Sequence, residues 1–74
     1  MRTFNEIVQE IFNITSEEIR DDMSSKDIPE WDSMNYLLFI AELENEFSIS
    51  FGMNEVMDAK TLGDIRLIVE KRKL

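Results

Sequence analysis

Apolar residues at Phe4, Ile7, Val8, Ile11 and Phe12 recur at i, i+3, i+4, i+7 and i+8, the periodicity of one face of an α-helix. Thr3, with Glu6 three residues on, forms a capping box and starts that helix. From residue 13 to 32 the period is lost, and Ser16, Ser24, Ser25 and Pro29 read as a long loop with one turn at Ser16–Ile19. A loop of that length needs side chains to hold it down, and Ile14, Ile19, Met23 and Ile28 are spaced to do so. A second helix is expected over Ser33–Phe47, capped by Asp32 or Ser33. Leu37, Ile40, Leu43 and Phe47 share one side and are assigned to the core, with Tyr36 at its edge. At about 100° per residue, Met34, Leu38, Ala41 and Asn45 fall on a different side, and Glu42 and Glu46 form a third strip. This helix is apolar over more of its circumference than one small core requires.

Ile49, Phe51 and Met53 alternate with polar or small residues, but no second run of this kind offers a partner strand, so an extended loop is expected. Asn54 opens a short turn through Val56 and Met57. Thr61 caps the last helix with Asp64 at its third position, and Leu62, Ile65, Ile68 and Val69 form its apolar face. Lys71, Arg72 and Lys73 suit the negative end of that helix. The pattern predicts an all-α fold, a small three-to-four-helix bundle with a long loop between helices 1 and 2, in a single domain over residues 1–74.

Composition narrows the chemistry. The 74 residues contain no cysteine and no histidine, which removes disulfides, thiolate metal sites, a cysteine nucleophile and the commonest general base. Nothing pairs a nucleophile with a base, so an enzyme is not expected. Asp22-Met23-Ser24-Ser25-Lys26 lacks the ligand spacing and turn glycine of a calcium loop. No apolar run approaches the roughly 18 residues of a membrane span, and a cytoplasmic monomer is expected.

The net charge of −8 is unevenly spread. Met1–Lys26 holds six acids and three bases, Asp27–Ala59 eight acids and no base, and Lys60–Leu74 two acids and five bases. The central segment would repel nucleic acid and anionic membrane and would steer a basic protein partner inward. Its plain alternative is a solvated acidic face that keeps the protein soluble.

Inside that segment lies Trp31-Asp32-Ser33-Met34, where a loop rich in acids and hydroxyls meets the second helix. Free backbone N–H groups and the helix dipole make this position hospitable to a phosphate ester, so Ser33 is the candidate point of attachment. A plain helix cap is the alternative role for Ser33, and the two are compatible.

Over nearly its whole length the chain resembles an acyl carrier protein. The residues that carry the resemblance are Asp32-Ser33-Met34, with Met where the family has Leu, then Ala41-Glu42-Leu43-Glu44-Asn45-Glu46-Phe47, Ser48-Ile49-Ser50-Phe51 and Thr61-Leu62-Gly63-Asp64-Ile65. The resemblance implies that a phosphopantetheinyl transferase moves 4'-phosphopantetheine from coenzyme A onto Ser33. The thiol of that arm then holds acyl groups as thioesters and presents them to acyl-processing enzymes of fatty acid, polyketide or related biosynthesis. It also implies that Asp32 helps engage the transferase.

Departures from the family pattern point to a specialised member; the lack of a tandem domain suggests a freestanding carrier, with a piece excised from a larger synthase as the alternative. Ile28-Pro29-Glu30-Trp31 replaces the usual Leu-Gly and small residue before Asp-Ser, and Trp31 is either a loop anchor or a contact for the arm and visiting enzymes. Asn35 and Leu38 stand where acids are common. The expected docking face is therefore Met34, Leu38 and Ala41, bordered by Asp32, Glu42 and Glu44, with partners that offer basic or apolar patches. If the acyl chain enters the bundle, Ile7, Leu37, Ile40, Phe47, Met57, Leu62 and Ile65 are the residues able to line its pocket. Two other readings remain: a peptidyl or aminoacyl carrier, and an acidic helical interaction module with no prosthetic group.

Overall fold

The computed structural model describes residues 1–73. Four α-helices and one 3₁₀ turn follow in the order α1 (Phe4–Phe12), the turn (Ser16–Glu18), α2 (Ser33–Phe47), α3 (Met53–Asp58) and α4 (Leu62–Arg72). Among the described residues there is no strand.

Local chemistry sets the helix ends. Thr3 Oγ1 accepts from Glu6 N at 3.1 Å while Glu6 Oε1 accepts from Thr3 N at 2.7 Å, and Thr61 and Asp64 repeat the reciprocal cap on α4. Asp32 is the cap of α2, its Oδ1 accepting from Asn35 N at 2.8 Å, which leaves Ser33 as the first helical residue. Asn13 and Ser48 end α1 and α2 in the left-handed region, each at φ 55°, and so let the chain turn away. The short helix starts at Met53, one residue before the expected turn, because Glu55 Oε1 reaches back to Gly52 N at 2.8 Å.

One core draws on all the longer helices and on the loop: Phe4, Ile7, Val8 and Phe12 from α1, Phe39, Ile40 and Leu43 from α2, and Leu62, Ile65 and Val69 from α4. Met23 and Ile28 are buried pins of the long loop, with Ile14 and Ile19 packed against the same cluster. Phe39 is the centre, its ring meeting Phe4 at 5.6 Å and Phe12 at 5.0 Å between centroids.

The inward face of α2 differs from the expected one. Leu37 is 61% exposed rather than buried, and Phe39, absent from the predicted face, has no exposed surface. Tyr36, Phe39, Ile40, Leu43 and Phe47 form the packed face, at i, i+3, i+4, i+7 and i+11. Because α2 is apolar nearly all round, periodicity alone left its rotation open by about one residue, and the large Phe39 ring took the interior.

The long loop is fastened to the start of α4. Leu62 N donates to Met23 O at 3.0 Å and Gly63 N to Asp21 O at 2.8 Å, so two otherwise free N–H groups of the helix hold the loop. Arg66 reinforces this junction, donating to Asp21 Oδ1 at 2.9 Å and Asn5 Oδ1 at 2.6 Å while its guanidinium lies 4.4 Å from the Phe4 ring centroid.

The cleft beside Ser33

The loop, the start of α2 and α3 converge on a cleft of about 500 Å³ whose rim includes Ser33. Its walls are largely apolar: Trp31, Tyr36, Leu37, Met53, Val56 and Met57, with Ser25 and Lys60 also at its margin. The Ser33 side chain is exposed, and among the described residues its hydroxyl has no hydrogen-bond partner. The first two N–H groups of α2, those of Ser33 and Met34, likewise have no protein acceptor among the described residues, whereas Asn35 N is taken by Asp32. An unpartnered hydroxyl with free space, open N–H donors and the positive end of a fifteen-residue helix therefore coincide.

An aromatic stack holds this geometry. Trp31 stacks on Phe12, at 5.3 Å and 12°, and on Tyr36, at 5.6 Å and 18°. Through these two stacked contacts Trp31 joins the loop to α1 and α2 while also contributing to the cleft wall. Tyr36 Oη donates to Val56 O at 2.6 Å and so bridges α2 to α3. Burial, followed by the nearby Asp64 carboxylate, raises the Tyr36 pKa above its ordinary value and keeps the phenol protonated for that bond.

The acids of α2 divide into two groups. Arg2 donates to Glu42 at 2.6 Å, Glu46 at 2.7 Å and Glu10 at 3.1 Å, clamping α1 to α2. These bonds, chiefly those to Glu42 and then Glu46, raise the Arg2 pKa, and the bond from Arg2 lowers that of Glu46. Glu44 Oε2 accepts from Phe51 N at 2.8 Å and fixes the α2–α3 connection. Glu42 and Glu44, expected at the border of the docking face, are thus engaged within the molecule. Asp32, Met34, Leu38 and Ala41 are exposed, Met34 to 78% and Leu38 to 47%.

The residues expected to line an internal acyl pocket separate in the same way. Ile7, Leu62 and Ile65 are fully buried and Ile40 is 6% exposed, which makes them core, and Phe47 packs against that core. Leu37 and Met57 line the external cleft. Met53, Lys60 and Ser25 were not among the sequence-derived site residues; they lie far from Ser33 along the chain or in the irregular loop, and no local pattern marks them.

A model of the phosphopantetheine attachment site family matches residues 2–66, a span that contains this whole arrangement. The chain belongs to that family. Among 23 matching solved chains is one from Mycobacterium tuberculosis designated an acyl carrier protein, 29% identical, with a TM-score of 0.81 over 92% of this chain and 90% of that one. A search of curated proteins returned no significant match.

As a member of the phosphopantetheine attachment family with the fold of an acyl carrier protein, the chain is a carrier and not an enzyme, and its cofactor is 4'-phosphopantetheine. The cleft fits such a group: a free hydroxyl, open space and an apolar wall stand together. The arm supplies a thiol that a cysteine-free polypeptide lacks. Membership also implies dealings with a phosphopantetheinyl transferase and with acyl-processing enzymes. Among the described residues no helix is long and apolar enough to cross a membrane.

Proposed function

We propose that Ser33 is the attachment residue, and that the chain works as a carrier domain of a specialised acyl pathway, whether lipid, polyketide or a related product. The observation that carries this reading is the unpartnered, exposed Ser33 hydroxyl on the rim of the apolar cleft. Ser33 Oγ bonds to the phosphorus that bears the pantetheine in coenzyme A, the pyrophosphate P–O bond breaks, and adenosine 3',5'-bisphosphate departs. The hydroxyl proton leaves to a base of the transferase, since this chain has no histidine.

The docking face is Met34, Leu38 and Ala41, with Asp32 at the helix mouth and Trp31 behind it. Because Glu42 and Glu46 are bound by Arg2, and Glu44 by Phe51 N, partners meet a surface more apolar than the charge of α2 suggests. The setting is a monomer acting in the cytoplasm.

Incubation with coenzyme A and a broad-specificity transferase adds one phosphopantetheine to the parent and none to Ser33→Ala, measured by intact mass. The variant keeps its fold because Asp32, not Ser33, caps α2. Modification of Ser33→Ala overturns the assignment.

A further inference from the structure

The phosphodiester that joins a pantetheine arm to serine is an anion, and the segment around Ser33 is anionic too, with eight acids and no base from Asp27 to Ala59. A cation must reach the site from outside that segment. Lys60 does so, lining the same cleft as Ser33. Its backbone N–H donates to Asp64 Oδ2 at 2.9 Å, which fixes the residue at the entrance to α4.

The Lys60 side chain is exposed, and among the described residues its ammonium has no carboxylate within ion-pair distance. Arg2, Arg20, Arg66, Arg72 and Lys73 are each paired. Lys26 and Lys71 are unpaired as well, but neither lines the clefts beside Ser33. Ser25 lines both of those clefts from the long loop. Two residues from separate segments, one bearing a hydroxyl and one an ammonium, therefore line the same cleft as the candidate attachment residue.

We infer that Lys60, assisted by the Ser25 hydroxyl, holds the phosphodiester of the Ser33-linked arm and lays its proximal part along Leu37, Met53 and Met57. The inference rests on Ser33 as the attachment residue. It involves no covalent step. Lys60 is a positioning residue whose charge offsets the phosphodiester and biases the arm toward the cleft.

The test uses the holo parent, Lys60→Gln and Lys60→Arg, each first checked for the site of loading by peptide mass. Phosphorus NMR then reports the phosphodiester, and methyl-labelled methionines report contacts from the arm's geminal methyl groups to Met53 and Met57. In the parent and Lys60→Arg, the phosphorus resonance is displaced from that of free phosphopantetheine and the methyl contacts are present. In Lys60→Gln the resonance moves toward the free value and the contacts weaken about two- to fivefold, the size expected for one exposed ion pair. Added salt reproduces that change in the parent and has little effect on Lys60→Gln. A phosphorus resonance and methyl contacts indifferent to Lys60→Gln, with the arm on Ser33, overturn this inference alone. An arm found on another residue of the parent overturns the attachment assignment and this inference with it.

Discussion

Removing one oxygen, by Tyr36→Phe, tests how the wall of the cleft is held. Tyr36 Oη donates to Val56 O at 2.6 Å, and that carbonyl lies in the last turn of α3. Its helical partner would be Lys60 N, but Lys60 N donates to Asp64 Oδ2 instead. The substitution therefore leaves the carbonyl without a protein partner and keeps the aromatic ring in its stack with Trp31. A neutral hydrogen bond of this kind contributes about 0.5–1.5 kcal/mol. Helix α3 has six residues and no fully buried side chain, so it has little else to resist opening. Its remaining ties are the Glu55–Arg72 ion pair at 2.5 Å, the bond from Gly52 N to Glu55 and the packing of half-buried Val56 against the core.

A loss of about 1 kcal/mol speeds amide exchange in α3 by roughly fivefold, since 1.4 kcal/mol corresponds to about tenfold. The assay is native-state hydrogen exchange followed residue by residue, with α1 and the Phe39–Leu43 part of α2 as the internal reference. Exchange rises in α3 and stays within about twofold in the reference amides if α3 opens as a local unit. Unchanged α3 exchange refutes the latch. An equal rise everywhere refutes the local opening and shows that α3 unfolds only with the core.

Gly63→Ala places a Cβ 2.9 Å from Asp21 O and 3.0 Å from Asp21 Cβ, so the loop must shift; stability in urea falls by about 1–3 kcal/mol, and an unaltered or raised midpoint contradicts the close approach. Leu38→Glu, on an exposed position, leaves thermal stability nearly intact but slows loading by the transferase about tenfold, and an unchanged rate rejects the apolar docking face. Acid destabilises the fold with a definite sign. Hydrogen bonds from Thr15 N, Arg2, Arg72 and Lys60 N lower the pKa values of Glu18, Glu46, Glu55 and Asp64 respectively. Their stabilising effect is complete above the ordinary carboxylate range near pH 4–4.5 and is lost as pH falls through the lower folded-state values, because the unfolded chain binds more protons. Urea midpoints that stay flat between about pH 5 and about pH 2 rule this out.

The sequence made helices legible where local patterns coincide with long-range demands. Thr3 with Glu6 and Thr61 with Asp64 mark their helix starts, and the single apolar face of α1 leaves one way for it to pack. The resemblance carried by Asp32-Ser33-Met34 and the acidic helix identified the family. Rotation of α2 was not legible, because Met34, Leu37, Leu38, Phe39 and Ile40 offer two apolar directions and only the long-range packing of Phe39 on Phe4 and Phe12 selects it. The state of Glu42 was hidden for a different reason: its partner Arg2 is distant in sequence, and nothing near either residue advertises the clamp. The cleft wall was equally invisible, since Met53 and Met57 gain a role only once Tyr36 draws α3 against α2.

The most direct measurement is the fragment mass spectrum of the chain isolated in its phosphopantetheinylated form, which reports the residue that bears the added mass. The full increment is expected on Ser33 and none on the hydroxyls of Ser24 and Ser25. The increment on any residue other than Ser33 contradicts it.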